Sequence, residues 1–147
     1  MSVTSFQAAK KICEISNWKL SNLSLQKILY FSHMIYMGKT GNPLITEHFQ
    51  AWRHGPVLPS VYNHLKIFGA DPVQNRFYDT EEISDKEIDN FLKDVATNFI
   101  DIEPWKLVTL THNEDGAWAK NYVPKFSKII HNKDILEEYR KFNEKYG

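Results

Sequence analysis

The chain is expected to fold as a mainly α, compact domain of about seven mostly short helices, with a small β element near residues 44–54. Three observations carry this. Apolar residues recur at helical spacing in several segments, most clearly Ile88, Phe91, Leu92, Val95 and Phe99. Glycines and prolines cut those segments short, at Gly38, Gly41, Pro43, Gly69, Pro104 and Pro124. β-formers in partial alternation are confined to Leu44–Trp52. No linker or internal repeat divides the chain, so one domain over residues 1–147 is expected.

The elements follow in order. Thr4 and Gln7 make a capping box that opens a helix to about Trp18, with Phe6, Ala9, Ile12 and Cys13 on one face. Asn22 or Ser24 caps the next helix, which ends at Gly38 and buries Leu25, Ile28, Leu29, Ser32 and Tyr36. Gly41, Asn42 and Pro43 mark a turn into Leu44–Trp52, a short strand or extended arm. Pro59 or Ser60 opens a helix to Phe68, closed by Gly69. Residues 70–82 are the least regular, with a turn at Asp71-Pro72 and a short strand at Arg76, Phe77 and Tyr78. Ser84 and Glu87 form a second capping box, with Ile83 stapled onto Ile88. Pro104 starts a helix to His112, Asp115 caps a turn carrying Trp118 and Tyr122, and Pro124 ends it. Asn132 caps a last helix with Ile135, Tyr139, Phe142 and Tyr146 on one face.

Composition narrows the function classes. Apolar residues are 42% and aromatics 14%, enough for a packed core. Eighteen basic and 18 acidic residues balance to zero, which argues against strong nucleic-acid binding, since that rests on neutralising phosphates. The charge is segregated: residues 1–40 hold five lysines and one glutamate, net +4, and residues 76–103 hold three basic and nine acidic residues, net −6. Two readings stand open, solvated helix faces or steering of a charged partner. A lone cysteine, Cys13, excludes an internal disulfide and sits on an apolar helix face. The N-terminus lacks the apolar core of a signal peptide, and no apolar run approaches the roughly 20 residues that span a bilayer. A cytoplasmic location without membrane contact is expected.

Catalytic and cofactor signatures are missing from the sequence. No Gly-rich phosphate loop and no G-x-S-x-G elbow occur. The six histidines show no zinc spacing; His112 with Glu114 and Glu47 with His48 come nearest. No catalytic residue, metal, cofactor or small-molecule ligand is therefore expected. Two rivals remain open: a hydrolase-like enzyme with a His/carboxylate site at His112, Glu114 and His54, and a DNA-binding helix–turn–helix regulator. For the second, the segment Pro59–Phe68 supplies only Lys66.

The most informative stretch is Phe49–Tyr62, where an apolar run meets Gly55-Pro56 and a second proline, Pro59. Glycine tolerates unusual backbone angles and proline restricts its own, so few shapes are open to this stretch. Trp52 can be architectural or part of a recognition surface. Arg53 and His54 are candidate contacts, because aromatic and arginine anchors dominate binding hot spots. Lys27 is expected to project off the buried stripe, solvated or facing an acidic partner.

Two blocks carry a resemblance. Leu23, Leu25, Gln26, Lys27, Ile28 and Tyr30 match an L-x-L-Q-K-L-x-Y helix. Ala51, Trp52, Gly55, Pro56, Val57, Pro59 and Tyr62 match A-W-x-x-G-P-V-x-P-x-x-Y. A weaker third block, T-H-x-x-x-x-W, is met by Thr111, His112 and Trp118, with Ala117 where a proline commonly stands. Together, over roughly residues 5–140, they resemble the Panacea, or SocA-like, domain of antitoxins and phage-associated proteins. The resemblance implies an antitoxin that binds and neutralises a cognate toxin encoded by an adjacent gene. It would do so by masking the toxin, by holding it inactive or by delivering it to a protease. Tyr30, His33, Arg53 and His54 are the expected partner contacts, the first two through the exposed side of the Tyr30–His33 helix; for His33 a hydrogen-bonded, half-buried histidine is the ordinary reading beside it.

Overall fold

The computed structural model describes residues 2–146. Its helices are α1 (Ser5–Ile15), α2 (Asn22–Thr40), α3 (Pro59–Leu65), α4 (Lys86–Thr97), α5 (Pro104–Thr111), α6 (Ala117–Asn121) and α7 (Asn132–Tyr146), with a 3-10 turn at Lys66–Phe68. Strands β1 (Phe49–Trp52), β2 (Gly55–Val57) and β3 (Lys128–Ile130) form an antiparallel sheet of order β2-β1-β3. The domain is mainly α, with a small sheet.

The arrangement is organised around α2. Helices α1, α3, α4, α5 and α7 and strand β2 all pack against it. Such a helix has no solvent face to reserve for polar residues. That is why Lys27 and His33 are buried, against the expectation of a solvated lysine and an exposed Tyr30–His33 side. Aromatic contacts seal the joins: Phe31 stacks on Phe99 at 5.1 Å, and Tyr36 meets Phe91 edge-on at 5.1 Å.

Local chemistry accounts for the helix ends, with several shifts from expectation. The Thr4–Gln7 capping box is present, but α1 stops at Ile15 because Asn17 and Trp18 take positive φ of 60° and 58°. Ser21, not Asn22 or Ser24, caps α2. The helix runs through Gly38 to Thr40 and ends at Gly41, whose φ is 78°. Gly38 serves close approach instead: a Cβ there would lie 2.2 Å from the Tyr139 ring of α7. Asp85, one residue past Ser84, caps α4 by accepting from Glu87 and Ile88 N–H. Gly116, not Asp115, stands at the N-cap of α6.

The sheet is narrower and wider-reaching than expected. Only Phe49–Trp52 of the 44–52 segment forms a strand, and no strand forms at Arg76–Tyr78, where Phe77 is buried in irregular chain. The third strand comes from residues 128–130, where the β-formers Ile129 and Ile130 are too few to mark a strand by themselves, and it pairs along the free edge of β1. In α7, Ile135 is buried and Phe142 is exposed, while the Tyr146 side chain lies outside the described residues.

Part of the segregated charge is paired within the molecule. Lys10 pairs with Glu82 at 2.7 Å and Lys11 with Asp89 at 2.8 Å, which joins α1 to the acidic 76–103 stretch. Lys27 is buried. Glu47, paired with His48 as a candidate ligand pair, accepts from Ser5 N–H at 3.1 Å and Ser60 Oγ at 2.8 Å, tying α1 to α3.

Candidate functional site

All three sequence blocks converge on one hairpin. Strands β1 and β2 are joined at Arg53-His54, where Trp52 faces Gly55, so the reversal falls just before Gly55-Pro56 rather than on it. Gly55 takes the positive φ of 115° and Pro56 stands in the edge strand. There its missing N–H disturbs no ladder bond.

The first block holds the second by its backbone. Gln26 Oε1 accepts from Leu58 N–H at 2.9 Å, and Gln26 Nε2 donates to Asn22 Oδ1 at 3.0 Å. Asn22 Nδ2 donates to Tyr62 O at 3.2 Å, and Lys27 Nζ to Pro56 O at 2.9 Å. The pairing of L-Q-K with G-P-V-x-P thus has a physical cause: three side chains of α2 satisfy buried groups of β2 and α3. The third block closes the other side. Thr111 Oγ1 lies 2.7 Å from where a Gly55 Cβ would be, the His112 ring stacks on Trp118 at 3.9 Å, and Trp118 Nε1 donates to Trp52 O at 2.6 Å.

Lys27 is unusual in its surroundings. It is fully buried and forms no ion pair with a carboxylate among the described residues. Burial lowers its ammonium to about 7. The unfolded chain therefore holds this proton up to the ordinary lysine range, while the folded protein releases it near neutrality. Stability should rise as pH rises above 7, by about 1–2 kcal/mol up to pH 8.5. Cys13, whose thiol burial pushes up to about 12, reverses the trend only at more alkaline pH. Denaturant titrations across this window should show the rise in the wild type and a flat profile in Lys27→Met. A slope retained in the variant refutes the assignment.

Tyr30 and His33 do not face solvent. Tyr30 Oη donates to Glu138 of α7, and Glu138 Oε1 also accepts from Ala117 N–H at 3.1 Å. Burial holds the Tyr30 hydroxyl well above its usual range, with the Glu138 charge adding to it, so Tyr30 keeps the proton. Nδ1 of His33 accepts from Ile45 N–H at 3.2 Å, which leaves the proton on Nε2 for Asn132 Oδ1 at 3.0 Å. Burial lowers this imidazole, so it is neutral at physiological pH. Both residues tie α2 to its neighbours and present no surface for docking.

What reaches solvent is the hairpin tip and an aromatic bank beside it. Arg53 and His54 are exposed. Trp52 meets Tyr62 edge-on at 4.9 Å and donates to Gln50 Oε1 at 3.0 Å. His112, Trp118 and Tyr122 stack in series, at 3.9 and 4.7 Å. His54 meets Trp105, itself 55% exposed, at 5.1 Å. Burial lowers His112, assisted by Lys27 and His54. His54 packs on Trp105 and His112 on Trp118, and no hydrogen bond joins the side chains of His54, His112 and the exposed Glu114 among the described residues. No group of three or more His, Cys, Asp or Glu among the described residues could hold a metal.

The profile of the family described as "Antitoxin SocA-like, Panacea domain" matches residues 25–119. The chain belongs to this family. Antitoxin SocA of Caulobacter vibrioides (strain NA1000 / CB15N) is 31% identical over 109 residues, covering 67% of this chain. The chain's match spans 58% of that relative's length. No solved structure matches significantly. No helix among the described residues is long and apolar enough to cross a membrane. The matched region ends before Glu138, yet Glu138 completes the bond of Tyr30. Sequence reasoning missed this residue because nothing near it in the chain marks it. Ala117 gains an account as well: its N–H is in use, and a proline there would have none to offer Glu138.

Proposed function

We propose that this protein is the antitoxin of a toxin–antitoxin pair and neutralises the product of an adjacent gene by direct binding in the cytoplasm. The family match over residues 25–119 carries the reading. The exposed Arg53-His54 tip, flanked by Trp52 and Trp105 and held from beneath by all three blocks, supports it. A rigid, arginine-bearing and aromatic tip loses little entropy on association. Protection requires near-complete occupancy of the toxin, so affinity should be about nanomolar, roughly −12 kcal/mol.

Expression of the adjacent gene alone should arrest growth, and co-expression of this chain should restore it. Arg53→Ala combined with His54→Ala should weaken rescue with unchanged thermal melting. A harmless neighbour, or arrest that this chain does not relieve, overturns the assignment.

A further inference from the structure

A groove of about 510 Å³ opens beside the hairpin tip, lined by Trp52, Arg53, Tyr122, Pro124, Lys125, Phe126 and Ser127. Its volume lies within the range of ligand clefts, about 300–1,000 Å³. Two cations line it and no acid does, and neither Arg53 nor Lys125 forms an ion pair among the described residues. Its aromatic walls are held in place: Trp52 by Gln50 and Tyr62, Tyr122 by Trp118. Phe126 is 62% exposed, a large apolar side chain without cover. Lys125 adopts a φ of 70°, a conformation a non-glycine residue holds only at a cost. The groove leads into β3, where Lys128 is exposed and the sheet has no further strand.

We propose that this groove receives an acidic, extended peptide segment of the protein partner, with carboxylates on Arg53 and Lys125 and apolar side chains against Trp52, Tyr122 and Phe126. Charge complementarity selects the occupant. A guanidinium and an ammonium at one apolar trough fit carboxylates spaced along a strand. Nucleic acid also offers anions and stacking faces, but its affinity needs many phosphates neutralised together. Here two cations stand in a chain of zero net charge. The proposal rests on the antitoxin reading and gives that reading's binding surface its chemistry.

The test has two arms. In the first, a blocked heptapeptide alternating glutamate and valine is titrated into the isotopically labelled protein and followed by NMR. A matched lysine–valine peptide and a single-stranded RNA heptamer serve as comparisons. The acidic peptide should shift the Trp52 indole and the amides of residues 122–127. Its affinity should fall at least tenfold in Arg53→Glu with Lys125→Glu, and several-fold when salt is raised from low to about 0.3 M. Equal binding of the lysine peptide, tighter binding of the RNA, shifts elsewhere on the surface or no binding of the acidic peptide overturns the proposal. In the second arm, the purified adjacent-gene product is titrated against the same variants by calorimetry. Loss of at least tenfold in the double variant supports the groove as its seat. Equal binding to wild type and variant overturns the groove while the antitoxin reading stands. No binding even to wild type removes the antitoxin reading, and the groove is then decided by the peptide arm alone.

Discussion

Gly55→Ala should destabilise the protein by about 3–4 kcal/mol and lower its melting temperature by about 10 °C. Two costs combine. The φ of 115° at Gly55 is one that side-chain-bearing residues rarely adopt. A Cβ there would also lie 2.7 Å from Thr111 Oγ1, 3.0 Å from Lys27 Cε and 3.1 Å from Lys27 Nζ. Neither neighbour can yield cheaply. Thr111 Oγ1 is bonded to Val108 O at 2.7 Å, and Lys27 Nζ to Pro56 O at 2.9 Å. Gly41→Ala separates the two costs. Gly41 has a φ of 78° but nothing within 4 Å of its Cβ position, so it should lose only about 1–2 kcal/mol. Equal losses at the two glycines in chemical denaturation would show that the close approach of α2 and α5 to the hairpin contributes nothing.

Glu138→Ala should cost about 3 kcal/mol. The carboxyl is buried and serves two donors, Tyr30 Oη and Ala117 N–H, and its removal strands both. Each orphaned buried donor costs about 1–3 kcal/mol. Burial raises the Glu138 carboxyl above its usual range, opposed by the bonds from Tyr30 and Ala117. Glu138→Gln keeps an acceptor and sheds the charge, so it should lose less than the alanine variant. Ala117→Pro isolates one donor, since it removes the N–H and leaves the Tyr30 bond. In a double-mutant cycle, Tyr30→Phe and Glu138→Ala should couple by about 1–2 kcal/mol. A coupling near zero would mean that the bond between them does not contribute to stability.

The candidate site was legible in the chain to an uneven degree. The stretch from Trp52 to Pro59 announced a restricted backbone because glycine and proline act on their own residue and its neighbours. Arg53 and His54 proved to be the exposed tip, for the local reason that a two-residue connection between strands points outward. Tyr30 and His33 belong to the same helix pattern as a surface pair would, and nothing within one turn distinguishes the two cases. Lys27 is the clearest instance. Lysine is almost never fully buried without a partner, so every local rule assigns it to solvent. Its place was decided by β2 and α5 packing over a face of α2 that a simpler bundle would leave open.

By itself, the sequence determined what depends on contacts within three or four residues. It set the capping box at Thr4 and Gln7, the stop at Gly69, the proline starts of α3 and α5, and the mainly helical class. These rest on backbone angles and first-turn hydrogen bonds that each segment carries with it. The three blocks also sufficed to suggest the family, since each holds side chains of definite type at definite spacing. Only the tertiary structure decided that Lys27 loses its water, that Glu138 is the partner of Tyr30, and that residues 128–130 pair with β1. Burial and long-range pairing depend on how many elements surround a position, and that number is a property of the packed molecule, not of any segment within it.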